Sequence, residues 1–135
     1  MTTGSRGLHV VTPLKRVHTF DWVRSFAFEI AQLLIEKNPD LFTVEIRKNK
    51  RGNRIFIDTL RNAFAQTAVA PYAVRPKPGA PVAAPLEWKE VSLKNLRPDK
   101  YTIKNIFKRL DKVGNLWQNI NRHAINLIKT KEKPT

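Results

Sequence analysis

Asp58 is the only acidic residue between Ile46 and Leu86, a stretch in which Arg47, Lys48, Lys50, Arg51, Arg54, Arg61, Arg75 and Lys77 supply eight positive charges. A carboxylate in such a field stays ionised, and its hard oxygens suit a divalent cation that bridges to phosphate. The competing assignment is a structural ion pair with Arg61 or Arg54, which acids among cations often make. Gly4-Ser5-Arg6-Gly7 gathers backbone N–H groups, a hydroxyl and a guanidinium in four residues, the ingredients of a phosphate cradle without the Walker spacing; such a string is as often an ordinary flexible turn. His9 follows two residues later, as a phosphate donor or a hydrogen-bonded structural histidine. Arg75, beside a proline-rich turn, and Arg61 suit fork-like recognition of phosphate. Arg47, Lys48, Lys50, Arg51 and Arg54 form a basic turn suited to a DNA backbone. For most such cations the alternative is a solvated surface charge.

The elements that position these groups follow from periodicity and punctuation. Leu8–Leu14 is a β-rich apolar run stopped by Pro13 and reads as a strand. Apolar residues from Val23 to Leu34 recur at helical spacing, so a helix is expected over about 20 to 37, capped by Thr19 or Asp21 and ended at Asn38-Pro39. Residues 42–46 and the apolar run 55–58 read as strands, the second buried and ending in Asp58. Residues 67–70 are a further candidate strand. Pro71, Pro76, Pro78, Pro81 and Pro85 then force an extended loop. Helical spacing resumes over 102–110 and 115–128, and residues 129–135 read as a basic, fraying tail. Tyr72, Trp88 and Tyr101 are candidates for base stacking but fit core packing better.

The chain has 135 residues, 41% of them hydrophobic, including 7 Phe, 3 Trp and 2 Tyr. That suffices for one folded domain, expected over 1–128, and argues against a disordered basic tail. With 25 Lys+Arg against 11 Asp+Glu, the net charge is +14, which favours a polyanionic partner. No cysteine is present, so thiolate metal sites, disulfides and a cysteine nucleophile are excluded. No apolar run reaches membrane-spanning length, so no membrane partner and a cytoplasmic, nucleoid-associated location are expected.

Several of these segments occur together in an order that resembles a known family. Gly4-Ser5-Arg6-Gly7-Leu8-His9-Val10, Arg54-Ile55-Phe56-Ile57-Asp58-Thr59-Leu60-Arg61-Asn62, Thr67 to Arg75, Gly79-Ala80-Pro81-Val82, Pro85-Leu86-Glu87-Trp88 and Arg97-Pro98-Asp99 are similar to the C-terminal half of the polymerase domain of bacterial DNA ligase D. The resemblance runs from about residue 3 to 117. It implies an α+β, primase-polymerase type fold, with a mixed or antiparallel RRM-like palm sheet flanked by helices. The activity it implies is template-directed nucleotidyl transfer at a two-metal site in non-homologous end joining. Asp58 then matches the third catalytic, metal-binding carboxylate. Thr3, Ser5, Arg6 and His9 match the triphosphate-binding loop, Arg75 a phosphate-contacting arginine, and Arg61 a neighbour of that pocket. Mn²⁺ or Mg²⁺, nucleoside triphosphate and DNA are the implied cofactors and partners.

The sequence also departs from that pattern. The five aspartates contain no Asp-x-Asp pair, which the family places upstream of the Gly-Ser loop, and one aspartate cannot hold two cations. Thr59 replaces a usual tyrosine, Ala63-Phe64-Ala65-Gln66 a glycine-rich stretch, and Ala73 a usual serine. The expectation is therefore the C-terminal part of such a domain, as a separate or truncated reading frame, inactive alone. Alternatives are a stand-alone basic DNA-binding module or half of a split polymerase. Further expected partners are the missing N-terminal half, a ligase domain, a Ku-like protein, or a second copy in a dimer.

Overall fold

Helix α1 spans Phe20–Lys37, where the apolar periodicity placed it. Thr19 has extended backbone and its side chain accepts the Trp22 N–H at 3.2 Å, satisfying one of the donors that a helix start leaves open. Asp21 in the first turn and Lys37 in the last oppose the helix dipole. At the far end the Asn38 N–H reaches back to the carbonyls of Leu34 and Ile35, both at 3.1 Å, and Pro39 prevents continuation. The computed structural model describes residues 1–127; residue 128 and the expected basic tail over 129–135 lie outside the described residues. The chain divides into two compact units, Arg16–Ala68 and a second formed by Met1–Lys15 with the chain from Val69 onward.

In the unit Arg16–Ala68, β1 (Phe42–Thr43) and β2 (Ile55–Phe56) form a two-stranded parallel sheet, with Phe42 opposite Ile55 and Thr43 opposite Phe56. Both strands are shorter than the expected 42–46 and 55–58 because side chains capture the backbone beyond them. The Glu45 N–H donates to Thr43 Oγ1 at 3.1 Å and the Arg47 N–H to Glu45 Oε1 at 2.8 Å. The Leu60 N–H donates to Asp58 Oδ1 at 3.0 Å. The second run is also not buried, since Ile55 is 55% exposed. Between the strands the basic turn carries a 3₁₀ turn at Lys48–Lys50. Only Ala31 of α1 is buried; His18, Trp22 and Phe26 stack in succession, with ring centroids 4.5 and 5.4 Å apart.

The other unit is built around Val82, Ala84, Tyr101 and Ile106, with Tyr72, Leu86 and Leu110 packed against them. The proline-rich segment forms a loop, as expected, but turns at 71–72 and 78–79 break its extended course, and it contributes isolated antiparallel bridges, Val74 to Val82 and Pro81 to Thr102. The expected strand over Leu8–Leu14 is reduced to two bridges, Thr2 to Leu8 and Leu14 to Ile125. Pro13 has no N–H to offer, and Val10 is 82% exposed, so the run has neither a ladder nor a packed face. No strand forms over 67–70. The architecture is α+β, with its β content among the described residues limited to the parallel pair and such bridges.

A short helix α2 (Trp88–Val91), unforeseen in the sequence, is held by a capping box between Glu87 and Glu90. Helix α3 is Ile106–Val113, ended by Gly114 at φ +71. The helix expected over 115–128 is replaced, within the described residues, by turns and one 3₁₀ turn at Ile120–His123. Asn115 Oδ1 accepts the Trp117 N–H at 3.0 Å and Asn119 turns left-handed at φ +63, both of which interrupt a helix start. Of the aromatics, Tyr101 is buried, whereas Trp88 is 80% exposed rather than in the core.

One polar cluster ties α2 and α3 to this core. Arg109 donates to both Glu90 oxygens at 2.6 and 2.7 Å and to the Pro85 carbonyl at 2.7 Å, the Tyr101 hydroxyl donates to Glu90 Oε1 at 2.8 Å, and the Glu87 N–H donates to Glu90 Oε2 at 2.8 Å. The Arg109 guanidinium also lies 4.4 Å over the Tyr101 ring. Burial by itself raises the Glu90 carboxyl, but the hydrogen bonds from Arg109, the Glu87 N–H and Tyr101 outweigh it, so its pKa is lowered. Burial, then the bond to Glu90, pushes the Tyr101 hydroxyl up to about 12. Every member has a partner, which is the condition for a buried charge pair to be tolerated.

Candidate functional site

The Gly4–Gly7 loop is held rigidly, and most of its backbone donors are already engaged. Thr2 anchors it from inside the core, its N–H donating to the Ala84 carbonyl at 2.8 Å and its Oγ1 accepting the Ala84 N–H at 2.9 Å. The Thr3 hydroxyl donates to the Gly7 carbonyl at 2.9 Å and accepts the N–H groups of Ser5 and Gly7 at 3.2 and 3.3 Å. The Gly4 N–H donates to the Pro98 carbonyl at 2.9 Å. A cradle of free amides is therefore not what this loop offers. Its open groups are side chains: half-buried Ser5 and exposed Arg6.

Gly4 sits at φ +63, and a Cβ built there would lie 2.7 Å from Arg75 Cγ and 3.3 Å from both the Pro81 carbonyl oxygen and the Val82 carbonyl carbon. A side chain is strained at this φ, and only the missing Cβ lets Arg75 lie this close. Arg75 is fixed through its backbone, its N–H donating to the Pro81 carbonyl at 2.7 Å. Its Nε is buried and has no hydrogen-bond partner. The loop and Arg75 are thus brought together from positions about 70 residues apart in sequence, an association that only the bridges around Val82 produce. His9 follows the loop, its N–H donating to the Met1 carbonyl at 2.9 Å, and its half-buried side chain lines a 210 Å³ cleft with Trp88, Trp117 and Leu86.

Asp58 and Arg61 belong to the other unit. Asp58 is exposed and forms an Asx turn with Leu60. It makes none of the salt bridges among the described residues, which join Lys89 to Glu87, Arg97 to Asp99 and Arg109 to Glu90. The structural pairing weighed for Asp58 is not made: Arg61 donates to Gln66 Oε1 at 2.9 Å and Arg54 to the carbonyls of Arg51 and Lys50, both at 2.9 Å. Within the described residues no group of three or more His, Cys, Asp or Glu gathers to hold a metal ion. Asp58 alone does not fit a two-cation site, because its two oxygens leave most of each coordination shell to other donors.

The basic turn separates into two kinds of cation. Arg51 donates to the carbonyls of Glu45 and Ile46 at 2.8 and 2.7 Å and lies 3.8 Å over the Phe56 ring, so it shapes the turn together with Arg54. Arg47, Lys48 and Lys50 are exposed and have side chains free to meet a polyanion. Thr2, the anchor of the loop, and the Glu90–Arg109 pair were not singled out from sequence; a lone threonine and two charges 19 residues apart carry no local signal.

Residues 1–117 match the model of the family described as LigD, primase-polymerase domain. The multifunctional non-homologous end joining protein LigD of Pseudomonas aeruginosa is 34% identical over 114 residues, which cover 84% of this chain and 13% of that protein. The bifunctional non-homologous end joining protein LigD of Bacillus subtilis is 33% identical over 113 residues, 83% of this chain and 18% of that protein. The polymerase domain of Mycobacterium tuberculosis ligase D, solved in complex with DNA, superposes with a TM-score of 0.75 at 27% identity, over 84% of this chain and 39% of that one. The chain therefore spans a small part of these relatives, and by its sequence and its fold alike it belongs to the LigD primase-polymerase domain family.

Proposed function

We propose that this chain supplies the nucleotide-phosphate side, and part of the DNA-holding surface, of a nucleotidyl-transfer domain acting in end-joining repair. The observation that carries the reading is the Arg75 Nε, buried without a partner beside Gly4. An unsatisfied buried donor costs about 1–3 kcal/mol, more when charged. A phosphate oxygen accepting that N–H removes the cost and adds a charge-assisted bond. Ser5, Arg6 and His9 are the further phosphate contacts in this reading, with Thr3 as the residue that shapes the loop. Asp58 is the metal-binding carboxylate and Arg61 a second phosphate contact. Transfer with Mn²⁺ or Mg²⁺ then requires carboxylates from a segment beyond the described residues, so residues 1–127 bind but do not catalyse by themselves. A ligase domain and a Ku-like protein are the partners that this reading assigns.

The test is a titration of ATP against the chain and its Arg75→Gln variant. Loss of a charge-assisted phosphate bond worth about 1.5–3 kcal/mol weakens binding roughly 10- to 150-fold. Equal affinity for the two proteins rejects the role of Arg75. A stand-alone DNA-binding module is the second reading, favoured by exposed Arg47, Lys48 and Lys50 and the net +14. Asp58→Ala separates the two. It abolishes Mn²⁺-dependent primer extension in a mixture with a carboxylate-bearing N-terminal fragment if the chain is part of a polymerase. If the chain is only a binding module, no mixture extends a primer, and DNA affinity stays level or rises.

A further inference from the structure

The positive charge is unevenly placed. Residues 16–68 hold nine Lys/Arg against six Asp/Glu, a net +3, whereas the rest of the sequence holds sixteen against five, a net +11. Within that second set, Lys104, Lys108 and Lys112 recur every four residues. Lys108 and Lys112 lie on one face of α3, separated by about 6 Å at the helical rise of 1.5 Å per residue. The turn before α3 is bonded in helical fashion, the Ile106 N–H donating to the Thr102 carbonyl at 3.0 Å and the Arg109 N–H to the Asn105 carbonyl at 3.2 Å. Lys104 lies in that turn, one residue ahead of the N-cap Asn105, four residues before Lys108.

All three lysines are exposed and none takes part in a salt bridge among the described residues. Nearby anions are largely neutralised: Glu90 by Arg109 and Asp99 by Arg97, leaving Asp111 as the one acid of α3. The opposite face of α3 is anchored by buried Ile106 and by Arg109 on Glu90, so the row points outward from a rigid base. Like charges at i, i+4 repel and weaken a helix. The Lys108–Lys112 repulsion, with Lys104 just ahead of it, is relieved by a polyanion whose charges repeat on the same scale, as phosphates do along one strand. Lysine, a point charge on a flexible stem, suits contact with phosphates irrespective of sequence rather than the fork-like reading of a base.

We propose that Lys104, Lys108 and Lys112 form a further DNA contact, tracking the phosphates of one strand of duplex DNA. The inference rests on DNA being the partner, as read under Proposed function. The experiment measures binding of the full chain to a random-sequence duplex by fluorescence anisotropy across a range of salt. Each phosphate contact contributes about 0.9 to the slope of log affinity against log salt. The triple variant Lys104→Gln, Lys108→Gln, Lys112→Gln should lose about 2.7 from that slope, so that wild type sheds roughly 40-fold more affinity than the variant between about 50 and 200 mM salt. The corresponding Lys→Arg triple should restore the slope, and shuffling the DNA sequence should change nothing. A wild-type slope in the Gln triple overturns the ridge while leaving DNA as partner. No salt-dependent DNA binding by wild type overturns both readings. Unchanged DNA binding with lost affinity for anionic phospholipid vesicles would reassign the ridge to a lipid surface. A retained unfolding midpoint in the Gln triple excludes loss of fold as the cause.

Discussion

Replacing Gly4 by alanine probes the loop–arginine contact directly. The new Cβ would lie 2.7 Å from Arg75 Cγ, closer than carbon atoms approach, and 3.3 Å from two backbone atoms of Pro81 and Val82, at a residue held at φ +63. The left-handed conformation costs an alanine about 1–2 kcal/mol, and forcing a methyl into a packed contact about 1–3 kcal/mol. A total destabilisation of roughly 2–5 kcal/mol is expected from these two effects together. Gly79 provides the control: its φ is +80, but nothing lies within 4 Å of its Cβ position, so Gly79→Ala should show only the conformational cost of about 1–2 kcal/mol. Urea unfolding of both variants measures the difference. The double variant Gly4→Ala, Arg75→Ala removes the atom that is struck and should show a coupling energy of about 0.5–3 kcal/mol. Equal destabilisation by Gly4→Ala and Gly79→Ala, with no coupling to Arg75, would refute the close approach and with it the claim that this glycine holds Arg75 in place.

Arg109→Met should destabilise by about 3–5 kcal/mol, since it leaves the Glu90 carboxylate buried without its partner; a change under 1 kcal/mol in denaturant unfolding contradicts the pair as described. The same cluster sets an acid limit. The folded pKa of Glu90 is lowered, so its contribution is complete above the ordinary carboxylate range and lost as pH falls through the folded value. In Glu90→Gln that acid-side loss should shrink, as followed by thermal midpoints below neutral pH. Ala65 stands at φ +58, where glycine carries no steric penalty, so Ala65→Gly should raise stability by up to about 1 kcal/mol rather than lower it. Thr19→Ala removes the acceptor of the Trp22 N–H and should cost about 1 kcal/mol, seen as reduced helicity and a lower unfolding midpoint.

Interactions within a few residues are written in the sequence, and these are the parts it determined. Helix α1, its Thr19 cap and its end at Asn38 needed only apolar spacing, one hydroxyl and one proline. The loop character of the proline-rich segment needed only fixed φ angles and missing donors. The family was legible for a related reason: each string that carries the resemblance is short, with its glycines, arginines and carboxylate at set intervals, and the match over residues 1–117 bears out the family they pointed to.

Strand lengths, by contrast, depended on competition that periodicity does not register. Thr43, Glu45 and Asp58 side chains capture backbone N–H groups and cut β1 and β2 to two residues each. The apolar run Leu8–Leu14 gained only isolated bridges, because a strand exists only where a neighbour offers its hydrogen bonds. Which cations shape a turn and which face solvent was likewise a tertiary outcome. Arg51 and Arg54 close on carbonyls that the chain happens to bring within reach, while Lys48 and Lys50 beside them do not. Sequence alone named Gly4 and Arg75 as separate candidates. Their contact, and the buried Nε it leaves without an acceptor, arise only when the bridges at Val82 carry the two segments together, since no local rule relates residues so far apart along the chain.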